Sequence, residues 1–399
     1  MKIKRMQNDK FKTDEIAVFI TLPLKKETIT MNALLPAVLR RGTKNYKNQL
    51  EIGKQLEEMY GAFFNCGIDK TGDYCILKFY IETLSNKYTP DNENLSQKAM
   101  DLITEIIFNP LIENDGFNKE YVEQEKDNLR KKIESRKDNK EIYAFNRCIE
   151  EMFKNDPYGI YKNGYIEELD KINEKSLFDY YKKMIENCRI DVMINGKDAN
   201  EINVSKEDKK DILEVNKTSE IKQANDVNIV NEKADVTQGK LIIGMNTPIE
   251  NKFAVSMYNA ILGGGANSKL FQNVREKASL AYSTGSKYIR RKDAIVIVTG
   301  IELQNYDKTL KIIKQQIEDM KSGNISDDEF DKAKQLIVAS LNMIKESQED
   351  TITFYFDQSL FEENLPLDEY IKNIEEVSKE QVIDIAQKVS INTIYYLEK

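Results

Sequence analysis

Residues 262–283 have the sequence LGGGANSKLFQNVREKASLAYS, in which a glycine run separates two predicted helices. The second of these helices is predicted over 268–278, and a strand is predicted directly after it. The glycines, Gly263, Gly264 and Gly265, let the backbone change direction tightly. The stretch is therefore a turn and a helix that lead into a strand. The same order of elements occurs in the first half of the chain.

The predicted elements repeat with a period near half of the chain. Each half begins with a strand, at 16–24 and 241–245, and continues through helices and a hairpin. Each half then ends with a helix and a strand, and these strands are predicted at 190–194 and 393–397. Because the period is too long for a solenoid, we expect an α+β protein with two duplicated domains. Each domain is expected to be a mostly antiparallel sheet covered by helices on one face.

One helix is predicted over 117–153, Asn173 is the predicted cap of the next helix, and capping boxes are predicted at Ser326 and Ser378. The predicted turn of the first hairpin is 69–73.

A polar segment, 198–239, separates the two halves. It is rich in Lys, Asp, Glu and Asn and contains no proline. We interpret it as a linker that contains one strand or helical turn. This places the N-terminal domain over 1–197 and the C-terminal domain over 240–399.

Length, charge and hydropathy restrict the class of protein. The chain has 399 residues, a net charge of −8 and 32% charged residues, which is typical of a soluble globular protein. A phosphate-binding surface needs clustered basic residues, so nucleic acid is not an expected partner. The apolar run 16–24 is too short to cross a membrane and does not resemble a signal peptide. We expect a cytoplasmic protein with no membrane partner.

The chain contains no histidine. It therefore cannot supply the imidazole ligands of a catalytic zinc site or the base of a nucleophilic triad. The glycine run followed by Lys269 does not match a P-loop. The four cysteines are Cys66, Cys75, Cys148 and Cys188. Their spacing matches neither a metal-binding motif nor a disulfide framework. Core thiols in a reducing compartment are expected, with no metal site and no cofactor in this chain.

One pair of thiols is a weak alternative as metal ligands. Cys66 and Cys75 lie on the two predicted strands of one hairpin and face each other if the register allows it. Two thiolates are still fewer than the four ligands of a structural zinc site.

The 262–283 stretch resembles the second-domain motif of the pitrilysin-like inverzincins, a group that includes mitochondrial processing peptidase and small bacterial two-subunit peptidases. Their motif has a glycine-rich turn, then Ser-x-Leu-Phe-x-x-x-Arg-Glu, then Leu-Ala-Tyr. The matching residues here are Ser268, Leu270, Phe271, Arg275, Glu276, Leu280, Ala281 and Tyr282.

The first half resembles the zinc-binding domain of that family without its ligands. Catalytic members carry H-x-x-E-H shortly before Gly-Thr. With Gly42 and Thr43 aligned to that dipeptide, Ala33 and Ala37 replace the histidines and Pro36 replaces the catalytic Glu. The resemblance therefore covers nearly the whole chain and implies that the ligand set is lost.

Two further positions follow from this alignment. The third ligand of the family, a Glu on a later helix, aligns loosely with Lys132. A proline in a helix interior costs about 3 kcal/mol, so the helix either begins near Pro36 or is kinked there.

The resemblance implies that Arg275 and Tyr282 act in trans. In the family this pair faces a zinc in the opposite domain or subunit, hydrogen-bonds substrate carbonyls and stabilises the oxyanion. The chain would then be the non-zinc subunit of a heterodimeric zinc metallopeptidase, and it would be inactive alone. Its partner would be a homologous subunit that carries H-x-x-E-H and zinc. Gly263, Gly264 and Gly265 would line the channel for an extended peptide substrate.

Other interpretations remain open. In the simplest one, Arg275 pairs with a nearby Glu and Tyr282 only starts a core strand. The chain could also be a non-catalytic scaffold, or an accessory binding protein in a peptide-maturation or translation-factor-modification system. The sequence leaves a homodimer open as well. An enzyme that acts alone by another chemistry has no supporting motif.

Overall fold

The computed structural model describes residues 1–91, 93–204 and 226–399. The described chain divides into two compact units, each of which includes one segment from the other half of the sequence. Unit 1 consists of Met1–Ser135, 160–204 and Ile344–Glu363, and unit 2 consists of Arg136–Gly159, 226–343 and Asn364–Lys399. Residues 205–225 of the predicted linker lie outside the described residues.

The first half of the chain contains a five-stranded sheet and a short two-stranded ladder. The strands are β1 (Lys2–Gln7), β2 (Thr13–Pro23), β3 (Phe63–Thr71), β4 (Tyr74–Leu84), β5 (Ile112–Glu113), β6 (Gly116–Phe117) and β7 (Arg189–Gly196). The sheet order is β1-β7-β2-β4-β3, in which only β1 and β7 are parallel. The predicted hairpin joins β3 to β4, and Gly72 in its turn has φ +54°.

The helices of the first half fall into both units. They are α1 (Lys26–Leu39), α2 (Gln49–Glu58), α3 (Leu95–Phe108), α4 (Lys119–Glu134), α5 (Lys140–Met152), α6 (Ile166–Leu169) and α7 (Glu174–Asn187). All but α5 belong to unit 1. The Asn173 capping box at the start of α7 confirms the predicted start of that helix.

The second half repeats this topology. Its strands are β8 (Asn228–Lys233), β9 (Gly239–Asn246), β10 (Ala281–Ile289), β11 (Ala294–Ile301) and β12 (Ser390–Glu398). The sheet order is β10-β11-β9-β12-β8, with β8 parallel to β12. Read from β8, this is the order of the first sheet, so the predicted duplication and α+β class are confirmed. β8 lies inside the polar segment 198–239.

The helices of the second half also fall into both units. They are α8 (Lys252–Gly263), α9 (Tyr306–Lys321), α10 (Asp327–Ile344), α11 (Gln348–Leu360), α12 (Leu367–Glu375) and α13 (Lys379–Lys388). Only α11 is mainly part of unit 1. The predicted capping boxes at Ser326 and Ser378 are both present. Among the described residues, no helix combines the length and the apolar character needed to cross a bilayer.

β2 is buried on both faces. Ile16, Val18 and Ile20 lie in the main core of unit 1. Ala17 and Phe19 point to the opposite face, where they pack against residues of α11. A strand covered on both sides has a continuous apolar run rather than an alternating one, as the sequence 16–24 has. The helix from the second half thus adds a covering layer that the sequence did not predict.

The prediction of one helix over 117–153 is wrong. The segment forms α4 and α5, separated by a 3₁₀ turn at Ser135–Lys137. Asn139 caps α5 by accepting a hydrogen bond from the Ile142 N–H at 3.0 Å. An Asn at this position competes for backbone donors and starts a new helix instead of continuing the old one. The break also marks the change from unit 1 to unit 2.

Gly244→Val is expected to destabilise unit 2 by about 1–3 kcal/mol. Gly244 lies on β9 under α5, where a Cβ atom would be 2.6 Å from the Met152 Sδ. Urea denaturation followed by circular dichroism measures the change. Gly53→Ala in α2 is the control, because nothing lies within 4 Å of a Cβ there. The control should raise the free energy of unfolding by about 0.5–1 kcal/mol. Equal effects of the two variants would show that α5 does not approach β9 this closely.

Candidate functional site

The face of α1 that matches the metal-binding helix of the peptidases carries no ligand. Ala33 and Ala37 lie one turn apart and are half-buried, and their methyl groups have no lone pair to offer a metal. α1 begins at Lys26 and Pro36 lies in its last turn, which excludes the first of the two alternatives, a helix start near Pro36. Proline has no N–H, and it therefore leaves the Asn32 carbonyl without its helical donor.

The two hairpin cysteines do not form a ligand pair. The strand register places Cys66 opposite Phe79 and Cys75 opposite Lys70, so the thiols do not face each other. Burial raises the pKa of Cys66 to about 11 and that of Cys75 to about 12. Both thiols are therefore protonated near neutral pH. The Cys66 Sγ donates to the Pro36 carbonyl at 3.3 Å, so this thiol already has a partner on α1.

The position aligned with the third ligand is also unsuited to a metal. Lys132 lies on α4, and burial together with the nearby Lys162 lowers its pKa. An ammonium group repels a divalent cation. Within 1–91, 93–204 and 226–399, no three residues of the His, Cys, Asp and Glu types converge closely enough to hold a metal ion. The positions aligned with the family's ligands therefore cannot supply a catalytic zinc site.

Arg275 lies on a π-helix, Phe271–Lys277, where the sequence predicts an ordinary helix over 268–278. The Arg275 side chain is 44% exposed, and its Nε is 3.8 Å from the Glu276 carboxylate. This distance allows a weak ion pair but no hydrogen bond. The guanidinium lies 4.6 Å from the Phe271 ring centroid. Its hydrogen-bond donors therefore remain available to a ligand.

The connection between Arg275 and Tyr282 has an unusual backbone. The Arg275 carbonyl accepts a hydrogen bond from the Ser279 N–H at 3.1 Å. Ser279 has φ +53°, a conformation that residues other than glycine rarely adopt. π-Helical turns and strained residues are frequent at functional sites.

Tyr282 is the extra residue of a β-bulge in β10. Ala281 pairs with Ile301 and Ser283 pairs with Gly300, which leaves Tyr282 without a partner in the ladder. Bulges redirect side chains, and Tyr282 is 56% exposed rather than part of the core. Its hydroxyl donates to Glu302 Oε1 at 3.1 Å. That hydrogen bond raises the pKa of Tyr282, so the phenol stays protonated and able to donate.

The three glycines support close packing rather than a left-handed turn. The chain does change direction at these glycines, but none of the three has a positive φ, so the turn does not depend on a left-handed conformation. Gly263 is buried, and a Cβ atom there would lie 2.6 Å from the Ser286 N. Glycine at this position lets the end of α8 rest on the backbone of β10. Gly264 is exposed and Gly265 is half-buried at the start of the following turn.

A buried ion pair, which the sequence does not reveal, anchors the start of the π-helix. Lys269 is only 5% exposed, and its Nζ lies 2.9 Å from Glu329 Oε1. Burial raises the pKa of Glu329, but hydrogen bonds from Lys269 and Ser326 outweigh it and lower the pKa overall. The segment that carries Arg275 is thereby tied to α10.

Glu329→Gln is expected to destabilise the protein by about 1.5–3 kcal/mol near pH 7, because Lys269 loses its charged partner while the capping box is kept. The native pKa of Glu329 lies below its ordinary value of 4.5, so this contribution is present above pH 4.5 and is lost as the pH falls through the native value. Wild type and Glu329→Gln are denatured at a series of pH values from 7 to about 3. The difference between their free energies of unfolding should shrink as the pH falls.

The matched control is Asp328→Asn, which breaks the exposed pair with Lys332 on the same helix. It should cost less than about 1 kcal/mol. A difference between wild type and Glu329→Gln that stays constant with pH would contradict the assigned ion pair.

A polar cleft of about 680 Å³ adjoins the Tyr282 bulge in unit 2. The start of α5 and the segment before β9 line it, and Asn139, Glu141 and Lys240 are among the lining residues. The Ser283 hydroxyl, next to Tyr282 in the sequence, donates to the Glu141 carboxylate at 3.2 Å. Exposed donors beside a polar cleft are suited to contact with a polar ligand such as a peptide backbone.

Fold and site together define a class of protein: a duplicated peptidase-like α+β chain whose metal positions carry no ligands. The family model described as "Peptidase M16 inactive domain" matches residues 171–337. A Bacillus subtilis protein described as "Probable inactive metalloprotease YmfF" is 33% identical over 405 residues, which cover 98% of this chain and 94% of that protein. The chain therefore belongs to the M16 peptidase family, among its inactive metalloprotease homologues.

Solved structures share the same fold. The crystal structure of a conserved protein from Enterococcus faecalis V583 superposes with a TM-score of 0.90 at 26% identity, over 99% of this chain and 96% of that one. A peptidase M16 inactive domain from Pseudomonas fluorescens superposes with a TM-score of 0.79 at 17% identity, over 99% and 95%. At 17% identity, the similarity to the Pseudomonas fluorescens structure shows a shared fold and nothing more.

Proposed function

We propose that this chain is the non-zinc subunit of a heterodimeric zinc peptidase, in which Arg275 and Tyr282 contact the bound peptide. The observation that carries the proposal is the exposure of both donors on irregular backbone. A π-helix presents Arg275 and a β-bulge presents Tyr282. Neither side chain packs into the core, so a structural role does not account for them.

The chemistry of peptide hydrolysis explains why these two residue types are useful. Negative charge develops on the carbonyl oxygen in the transition state, and fixed donors aimed at that oxygen stabilise it. The Arg275 guanidinium and the Tyr282 hydroxyl both donate. In the free chain the Tyr282 hydroxyl donates to Glu302, and a peptide oxygen would replace that acceptor.

The peptide is proposed to bind extended along β10. Among the described strands, β10 lies at the edge of its sheet beside β11, so its outer edge offers backbone groups to a further strand. A peptide added there as a further strand gains backbone hydrogen bonds. Tyr282 lies at the start of this strand. The proposed partner is a homologous subunit with H-x-x-E-H, which would supply the zinc and the base that this chain lacks.

Reconstitution tests this proposal. The chain and a homologous H-x-x-E-H subunit from the same host are purified separately, then assayed alone and together on a quenched-fluorescence peptide library. We expect cleavage only by the mixture, and no cleavage when the first His of the partner motif is replaced by Ala. Cleavage by this chain alone would overturn the proposal. A stable complex that never cleaves would favour the scaffold or accessory role instead.

A further inference from the structure

A second pocket lies in unit 1, on the face of the sheet that α11 covers. It has a volume of about 360 Å³ and opens where the sheet meets the start of α11. Its lining combines carboxylates with aromatic rings and includes Glu15, Glu82, Glu349, Tyr80, Phe11 and Phe63. No residue of this pocket takes part in the proposed function above, and the inference drawn from it is independent of that function.

The strand register explains why these side chains converge. Glu15 on β2 is paired with Glu82 on β4, which is paired with Phe63 on β3. Directly opposed residues project from the same face of a sheet. Tyr80 is two residues before Glu82 on β4 and therefore lies on that face too. The pocket is thus built on regular strands.

The start of α11 closes the pocket rigidly. Gln348 is buried, and its side-chain amide donates to the Asn195 carbonyl at 2.7 Å and to the Thr13 carbonyl at 3.1 Å. Its Oε1 accepts a hydrogen bond from the Thr13 hydroxyl at 2.7 Å. These bonds hold the first turn of the helix against β2 and β7. Glu349 therefore has a defined position over the pocket.

Glu15 is a buried carboxylate without a hydrogen-bond donor among the described residues. It is 7% exposed and lies near three more acids, Glu82, Glu349 and Asp350. Burial first, and then these negative neighbours, raise the pKa of Glu15 to about 8. A buried carboxylate in such surroundings is stabilised by a cation.

Tyr80 supplies a second unused polar group at the pocket. It is 8% exposed, and its hydroxyl makes no hydrogen bond of ordinary length and angle among the described residues. Burial raises the pKa of Tyr80, and a weaker interaction with the Thr353 hydroxyl lowers it. A buried hydroxyl left without a partner costs about 1–3 kcal/mol, so a ligand that bonds to it gains affinity.

We propose that this pocket binds an organic cation, a guanidinium or primary ammonium group on an aliphatic stem. The carboxylates supply the counter-charge, and the Phe11 and Phe63 rings supply faces on which a cation and its stem can rest. A cation of the protein itself makes both kinds of contact beside the pocket. The Lys10 ammonium pairs with Glu346 and lies 6.0 Å from the Phe11 ring centroid. Across the described ranges, no group of acids is close enough to chelate a metal, which favours an organic ion.

Isothermal titration calorimetry with n-butylguanidinium tests the proposal, with neutral n-butylurea as the matched ligand. We expect the cation to bind at least about tenfold more tightly than the urea. Its affinity should rise from pH 7 to pH 9, with release of a proton, because Glu15 must ionise to pair with it. Glu15→Gln should lower the affinity at least about tenfold and remove the pH dependence.

Two further variants separate binding from folding. Tyr80→Phe should weaken binding without lowering the thermal midpoint, because the hydroxyl that it removes makes no well-formed hydrogen bond in the described structure. Glu186→Gln, at an exposed acid on α7, should leave binding unchanged. Equal binding of n-butylurea, unchanged affinity of Glu15→Gln, or displacement of the cation by micromolar Ca²⁺ would each overturn the proposal. Absence of heat up to 10 mM n-butylguanidinium would do the same.

Discussion

Arg275→Ala is expected to lower kcat of the reconstituted peptidase pair by about 10²–10³ without dissociating it. The reason is that Arg275 contributes a donor to the developing oxyanion and little to the fold. Its side chain is 44% exposed, and within the described residues it makes only a weak ion pair with Glu276 and a contact with the Phe271 ring. The free energy of unfolding should therefore change by no more than about 0.5 kcal/mol. Steady-state kinetics and size-exclusion chromatography measure the two effects.

Tyr282→Phe is the companion variant, and its expected effect has the same direction because only the donating hydroxyl is removed. Lys277→Ala is the matched control: it removes a neighbouring exposed cation on the same π-helix, whose Nζ donates to Asn273 Oδ1 at 3.1 Å. The control should keep nearly full activity. Full activity of Arg275→Ala, or an equal loss in Lys277→Ala, would rule out a specific role for the Arg–Tyr pair.

Phe356→Ala is expected to lower the free energy of unfolding by about 3–5 kcal/mol. Phe356 is a buried residue of α11 that stacks on Phe19 of β2, with ring centroids 3.9 Å apart and planes 12° apart. Its removal leaves a cavity between the sheet and the helix that covers its second face. Urea denaturation with circular dichroism measures the loss.

Phe354→Ala provides the comparison on the same helix. Phe354 is only half-buried and stacks edge to face on Tyr355, so its truncation should cost clearly less. Similar losses for the two variants would show that α11 is not held on the sheet through Phe356.

Much of the fold is predictable from local sequence. The caps at Asn173, Ser326 and Ser378 place three helix starts correctly, because a side-chain acceptor there satisfies free backbone donors. Gly72 places the β3–β4 turn. The recurrence of the same order of elements predicts the duplication, which the two sheets with one topology confirm.

The exchange of helices between units is not predictable in this way. The apolar stripe of α5, which includes Cys148 and Met152, shows that one face is buried but not which sheet buries it. The same holds for Ile352 and Phe356 on α11. Local periodicity carries no information about a partner distant in the sequence.

The candidate site is also predictable only in part, because some of its features depend on contacts between residues distant in the sequence. The residue types and spacing of Arg275 and Tyr282 suggest a site by resemblance, but the bulge that exposes Tyr282 depends on its pairing with β11. The partnership of Lys269 with Glu329 joins residues that are far apart in the sequence. Glu15 immediately precedes an apolar run, and its acidic surroundings become visible only once the register of three strands is known.

The proposed function requires that this chain works beside a zinc-bearing homologue. The most direct test is to tag the chain in its native host, purify it gently, identify co-purifying proteins by mass spectrometry and measure zinc in the same sample. We expect a near-equimolar companion of similar size with H-x-x-E-H and about one zinc per pair. A zinc-free homo-oligomer, or a partner without that motif, would contradict it.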